Sequence, residues 1–428
     1  MKANSAVVPE RSASVGSAFK ELSFSRKRIL FLCALVAALD GMDTQSVGLL
    51  APSIANAVGL PLANMGGVFS AGLFGMMIGA LSIGPIADSL GDRRRPIIAS
   101  TFLFGALTLL IPFAHTLSAL AGLRFFIGLG LGAVIPSVIA ISTSQCEPEI
   151  RRQMVTVMVG FISIGGFLGA LIAMPIVSRL GFKAAFFIIG AAPVILCLPL
   201  TRWMPRNDET FADKGGEASS RRTANLLTPI TTMFSGALSF LTPVLFLAFF
   251  CNMLLMYSIS SWLPSMVAYA NLEKNVGFIA ISMFSLGGTV GTLLQGFFMA
   301  KIGSVRMLVL EYLIFIACVV CVTSFALNAT ALQIFGLVSG FSVTGATAGL
   351  IAIVVETYPG SILTTVCGWA NGVGRIGAIV GPLIGGAMLG AGLSPKSMLG
   401  ACVVPAFTAL CALLCFNLLK RNSRYAKN

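Results

Sequence analysis

The stretch Gly84-Pro-Ile-Ala-Asp88-Ser-Leu-Gly91-Asp92-Arg93-Arg94-Arg95 places five charged side chains within twelve residues of a chain that is otherwise strongly apolar. It is flanked by the runs Asn64–Ile86 and Pro96–Phe113. Each is long enough to cross roughly 30 Å of hydrocarbon as a helix. A glycine-containing polar turn with three arginines between two such runs reads as a connection held at the membrane surface. Working outward, ten more runs of this kind appear: Ile29–Ala51, Leu117–Ile141, Met154–Val177, Phe182–Leu200, Phe240–Val267, Val276–Met299, Met307–Leu327, Ala331–Val355, Leu363–Leu389 and Met398–Leu419. The expectation is an all-α integral membrane protein with twelve transmembrane helices.

Composition agrees. The 428 residues are 57% hydrophobic and 10% charged, whereas a soluble domain carries about a quarter charged residues. The net charge of +13 raises nucleic-acid binding, but the basic residues sit in short clusters between apolar runs, so no nucleic-acid partner is expected. The first run contains Asp40 and Asp43, is too long for a cleavable signal and lacks a small-residue cleavage site.

Orientation follows from the connections. Lys2, Arg11, Lys20, Arg26, Lys27 and Arg28 precede the first run, and Arg93, Arg94 and Arg95 follow the second. Arg151 and Arg152 follow the fourth, and Arg202, Arg206, Lys214, Arg221 and Arg222 the sixth. Lys301 and Arg306 follow the eighth, and Lys420, Arg421, Arg424 and Lys427 the last. The other side carries Arg179, Lys183, Lys274 and Lys396, giving 22 basic residues against 4. Both termini and the central loop are therefore expected in the cytoplasm, with the chain crossing the cytoplasmic (inner) membrane many times. The ten cysteines are scattered and imply no disulfide framework; Cys318 and Cys321 inside an apolar run read as packing residues rather than metal ligands.

Sliding the sequence on itself by 212 residues aligns its halves. Pro52 falls on Pro264 and Pro193 on Pro405; Gly75, Gly79, Gly84 and Gly91 fall on Gly287, Gly291, Gly296 and Gly303; Gly128 falls on Gly340; Gly160, Gly165 and Gly169 fall on Gly372, Gly377 and Gly381. One constant offset linking prolines and glycines across six helices implies two pseudo-symmetric six-helix bundles. The expected division is a tail at 1–28, bundles at 29–201 and 239–419, a central loop at 202–238 and a tail at 420–428. Halves of this kind rock about a site at their interface near the bilayer midplane.

The stretch from Gly84 to Arg95 resembles the loop signature of the major facilitator superfamily, with Asp92 where relatives usually carry a basic residue. The resemblance implies a gating loop of Gly84, Asp88, Gly91, Arg93 and Arg94, in which Asp88 pairs with arginine and latches one side shut. The second copy has Ala300 in place of the aspartate, so the strong latch is expected in the first half. Asp40-Gly41-Met42-Asp43-Thr44 with Pro52, and Arg124-Phe-Phe-Ile-Gly128-Leu-Gly130-Leu-Gly132, are similar to the aromatic acid:proton symporter family within it. Many relatives carry a glutamate at the cytoplasmic end of helix four, where this chain has Ser144-Gln145.

The residues lead the same way. Charges at bilayer depth cost at least about 2.5–3.5 kcal/mol each on insertion scales and mark pathways by default. Four charged side chains read as clearly deep: Asp40, Asp43, Arg124 and Arg375. Asp40 and Asp43 are spaced i, i+3 with Thr44 beside them, on one helix face. Mutual repulsion and burial both favour uptake of a proton by such a pair. The structural alternative is a salt bridge between one aspartate and Arg124, and a bridge that breaks on substrate binding satisfies both readings. The planar fork of Arg124 suits a carboxylate. Arg375 reads equally as a second carboxylate site or as a partner for an acid across the interface. Asn252, aligned with Asp40, together with Tyr257, Trp369 and Asn371, completes the candidate substrate site. Trp262, near a helix end, reads as an interfacial belt residue, and His115 sits in a short external turn.

These expectations add up to proton-coupled symport of an aromatic or related unsaturated carboxylate by a monomer, with Asp40 and Asp43 as proton carriers. Proton-driven efflux of organic anions or drugs is the rival, and a non-transporting membrane sensor a weaker one. Antiporters often carry Gly-Pro-x-x-Gly-Gly in helix five; here Gly381-Pro382-Leu-Ile-Gly385-Gly386 lies in helix eleven, which favours uptake. No cofactor or metal is expected, and no enzyme activity, because no nucleotide-binding loop, metal cluster or nucleophile constellation is present.

Overall fold

The computed structural model describes residues 22–90, 94–147, 150–204, 231–236, 238–270, 272–325 and 327–425. The first half contains α1 (Phe24–Val58), α2 (Met65–Leu90), α3 (Arg94–Thr108), α4 (Leu117–Ser144) and α5 (Arg151–Trp203). The second contains α6 (Leu238–Tyr269), α7 (Lys274–Ile302), α8 (Ser304–Ser324), α9 (Ala329–Ser339), α10 (Gly345–Thr357), α11 (Gly360–Gly390), α12 (Pro395–Ala401) and α13 (Val403–Tyr425). Among the described residues, eleven helical stretches are long and apolar enough to span a bilayer. The longest of them is two spans in one. At 53 residues, α5 would run about 80 Å as a single rod, but Gly181 breaks it with φ 82° and ψ 171°. Only glycine enters that region without strain, so the fifth and sixth runs are separate crossings, and the total is twelve.

Local chemistry sets the helix ends. Ser23, Thr116, Asn328 and Ser394 each accept a backbone N–H three residues on, satisfying a donor that the first turn cannot use. Gly59 closes α1 in the left-handed conformation at φ 69°. α1 outruns the apolar stretch at both ends because these caps lie in the polar zones. One expected run is interrupted: a π-turn at Gly340–Thr344 separates α9 from α10.

The 212-residue repeat is visible in the contacts themselves. A side chain at Gly75 would strike the carbonyl of Phe125, and one at Gly79 that of Leu129; at the offset positions, Gly287 faces the carbonyl of Leu337 and Gly291 that of Phe341. Gly128 abuts Gly72, and Gly340 abuts Phe284; Gly165 abuts Ala38, and Gly377 abuts Phe250. Every partner is displaced by the same 212 residues. Glycine is needed at these positions because it lets two helix backbones approach within van der Waals contact.

The bundles meet at the end opposite the arginine-rich connections. Gly48 of α1 packs on the backbone of Ser260 and Ser261 in α6, and a Cβ on Gly66 would lie 2.7 Å from the carbonyl of Pro382. Since 48 and 260 are themselves offset by 212, this crossing lies on the pseudo-symmetry axis. Ser285 donates to Gln45 at 2.8 Å, and Ser70 to the Ile379 carbonyl at 2.7 Å. Trp262 is fully buried here, donating to the Pro382 carbonyl at 3.0 Å and meeting Phe69 edge-on. This corrects its reading as an interfacial belt residue: proximity to a helix end does not expose a side chain when the other bundle covers that end.

Candidate functional site

Asp43 and Arg124 form the centre of the first bundle. Arg124 Nη1 donates to Asp43 Oδ2 at 2.9 Å, and Nη2 to the Asp43 backbone carbonyl at 3.3 Å. The other carboxylate oxygen accepts from Thr108 of α3 at 2.8 Å. Asp43 is completely inaccessible. A buried ionised pair persists only when its remaining lone pairs are satisfied, and Thr108 supplies that contact. The two aspartates are therefore not equivalent. Asp40, 3% exposed, accepts a long 3.4 Å hydrogen bond from Thr44 on its own helix.

A pocket opens beside this pair, lined from the first half by Thr44, Met76 and Arg124 and from the second by Tyr257, Ser260 and Ser261. It offers about 40 Å³ to the centres of water-sized molecules, enough for a few waters. Arg375 lies at its edge, with Nη1 2.9 Å from Met76 Sδ and 3.3 Å from the Tyr257 hydroxyl, and it is within electrostatic reach of Asp40. Thus Asp40, Asp43, Thr44, Arg124, Tyr257 and Arg375 are brought together at the junction of the halves.

A model of the Major Facilitator Superfamily matches residues 33–332 and 276–428. The chain belongs to the Major Facilitator Superfamily. It is 32% identical to the 3-(3-hydroxy-phenyl)propionate transporter of Escherichia coli, over 92% of this chain and 94% of that one. It is 31% identical to a gallate transporter of Pseudomonas putida, over 90% of each, and 30% identical to a 4-hydroxybenzoate transporter of Pseudomonas aeruginosa, over 90% and 91%. A solved inward-facing, unoccupied bacterial homolog of the human lysosomal transporter Spinster shares the fold, with a TM-score of 0.68 at 15% identity over 93% of this chain and 96% of that one. Like these Major Facilitator relatives, the chain is a multi-pass membrane transporter and not an enzyme.

Other candidate residues of this facilitator lie outside this cluster. Asn252 is buried inside the second bundle, where its amide donates to Thr347 and the Val343 carbonyl and its oxygen accepts from Tyr312 at 2.8 Å. Asn371 is exposed and donates to the Cys367 carbonyl of its own helix. Trp369 is 47% exposed and stands six residues from Arg375, about 120° away around the helix. Of the gating loop, Gly84 and Asp88 lie on α2 with side chains beyond residue 82 outside the description, while Gly91 and Arg93 lie outside the described residues. Arg94 begins α3 and donates to the Thr201 carbonyl at the end of α5.

Sequence reasoning missed three side chains. Thr108 and Gln45 are single polar residues in apolar surroundings, a signal that gains meaning only once a partner is known. Glu311, not among the four charges read as deep, is fully buried. On the basic side, Ser304 donates to Glu356. Glu356 is the offset equivalent of Ser144, so the second half carries an acid where the first lacks one.

Proposed function

We propose that this protein takes up an aromatic or related unsaturated carboxylate across the cytoplasmic membrane together with protons, by alternating access. The relatives' named substrates (hydroxybenzoate, gallate and hydroxyphenylpropionate) are all aromatic acids, which supports the substrate class. The carrying observation is the contrast between the two arginines at the pocket. Arg124 is occupied by a carboxylate, whereas the hydrogen-bonding partners of Arg375 are a thioether and a phenol. Arg375 is the better docking point for a substrate carboxylate, with Tyr257 beside it for the ring. Asn371, one turn away on the same face of α11, lines the approach. Bringing a carboxylate to Arg375 weakens its electrostatic hold on Asp40, which then takes up a proton, while Asp43 keeps Arg124 in place.

The basic connections assign the termini and central loop to the cytoplasm. The glycine-packed end then faces outward, and the contacts of Gly48 and Gly66 close that side. The two bundles, residues 29–201 and 239–419, rock as rigid bodies in a monomer, with the loop around Asp88 and Arg94 latching the inner side in the opposite state. The test is uptake of labelled 4-hydroxybenzoate into proteoliposomes with an acidified exterior. Accumulation driven by the proton gradient is expected; accumulation only when the interior is acidified would instead establish efflux.

A further inference from the structure

Glu311 of α8 stands apart from the central site. It is fully buried, about 10 Å from the basic end of its helix by the rise per residue. Gln295 of α7, equally deep, donates through Nε2 to Glu311 Oε2 at 3.1 Å. The other oxygen of each side chain has no hydrogen-bond partner among the described residues. Both orphan acceptors face one point, lying 3.0 and 3.4 Å from where a Cβ on Gly345 would stand. Two buried oxygens left unsatisfied around one point are unfavourable for a carboxylate paired with an amide. A single proton on Glu311 Oε1 removes both faults. The acid then donates to the Gln295 oxygen while the amide donates back, forming a reciprocal acid–amide pair.

Among the described residues, the groups that touch this pair are uncharged. α7 presents Gln295 and α10 presents Gly345 and Gly349. The titratable groups nearby are Tyr312 on the same helix and, beyond it, Cys251 of α6. A second glutamine at position 311 would satisfy this cage as well, so an acid at this depth calls for a role beyond packing. The π-turn at Gly340–Thr344 lies directly before Gly345; such distortions recur where helices move or work. Tyr312 carries the connection onward to Asn252 and Thr347.

We propose that Glu311, paired with Gln295, is a second proton site of the transport cycle, lying in the C-terminal bundle and exchanging its proton with the inner aqueous side when the contact with α10 opens. The proton leaves Glu311 Oε1 for water and the carboxylate is left behind. This deepens the symport reading and rests on it, but involves neither Asp40 nor Asp43.

Infrared spectroscopy of the reconstituted protein reads the carbonyl stretch of a protonated carboxyl. The expected result is a band that loses intensity as pH rises or when 4-hydroxybenzoate is added, and that is missing in Glu311→Gln. The proton-to-substrate ratio in proteoliposomes should fall by one in the same variant. The band should persist in Asp40→Asn, so failure of the central proton site and failure of this one are told apart. If Glu311→Gln cannot be recovered folded, Gln295→Leu should shift the band frequency. A band constant across pH and substrate, no shift in Gln295→Leu, or an unchanged proton ratio in Glu311→Gln would overturn the proposal, leaving a permanently protonated structural acid.

Discussion

Arg124 grips Asp43 twice, through the carboxylate at 2.9 Å and through the backbone carbonyl at 3.3 Å. The double contact ties α4 to α1 at a defined height. It leaves Asp40, one turn nearer the basic end, as the less constrained carboxyl.

Arg124→Lys keeps the charge but offers no planar fork, so one of the two contacts is lost. A hydrogen bond to a charged group is worth about 1.5–3 kcal/mol. Transport should fall about ten- to a hundredfold while the protein still reaches the membrane. Uptake normalised to immunoblotted protein checks this, and wild-type uptake would remove Arg124 from the machinery.

Arg375→Lys should act on substrate affinity. The guanidinium is assigned the substrate carboxylate, so its replacement should weaken 4-hydroxybenzoate binding by about one to two orders of magnitude, again from about 1.5–3 kcal/mol. Titration calorimetry on purified protein measures it. Unchanged affinity would return the carboxylate to Arg124.

Thr108→Val leaves one oxygen of a buried carboxylate without its donor, at a cost of about 1–3 kcal/mol, and the thermal midpoint should drop. Thr101, on the same helix, is equally buried but its hydroxyl has no partner among the described residues. Thr101→Val should be neutral or stabilising. Parallel melting curves compare the two, and equal effects would mean that Thr108 matters only as volume.

The aspartates should separate. Asp40→Asn should abolish accumulation driven by a proton gradient while preserving substrate exchange at equal pH, since exchange does not require proton release. Asp43→Asn leaves Arg124 buried without a counter-charge, a loss of about 3–5 kcal/mol, and should impair both. Proteoliposomes with imposed pH gradients distinguish these outcomes. Accumulation by Asp40→Asn would end its assignment as proton carrier.

Gly66→Ala should wedge the closure between the bundles at the glycine-packed end. The new methyl would meet the Pro382 carbonyl at 2.7 Å and Gly386 Cα at 3.2 Å, both backbone and unable to swing aside. The population should shift toward the outward-open state, seen as faster hydrogen exchange in residues 62–70 and 382–390. Unchanged exchange would mean that this crossing does not gate.

The twelve crossings, the two-bundle plan and the unusual character of Asp40, Asp43, Arg124 and Arg375 were all legible in the amino-acid sequence. Each depends on something local: a run must match the bilayer thickness, a repeat must recur at one offset, and a charge in hydrocarbon is costly wherever it points. Tertiary structure alone decided which aspartate Arg124 holds. Both are within a turn of each other on one face of α1, and the choice turns on the height at which α4 sits. That height is set by backbone contacts such as Gly128 on Gly72 and Gly132 on Met76, between residues far apart in the chain. The same holds for Glu311, whose pairing with Gln295 follows from how α7, α8 and α10 converge. Depth along a helix can be counted from sequence; the partner across a helix interface cannot, because it is fixed by the packing of backbones that no local pattern encodes.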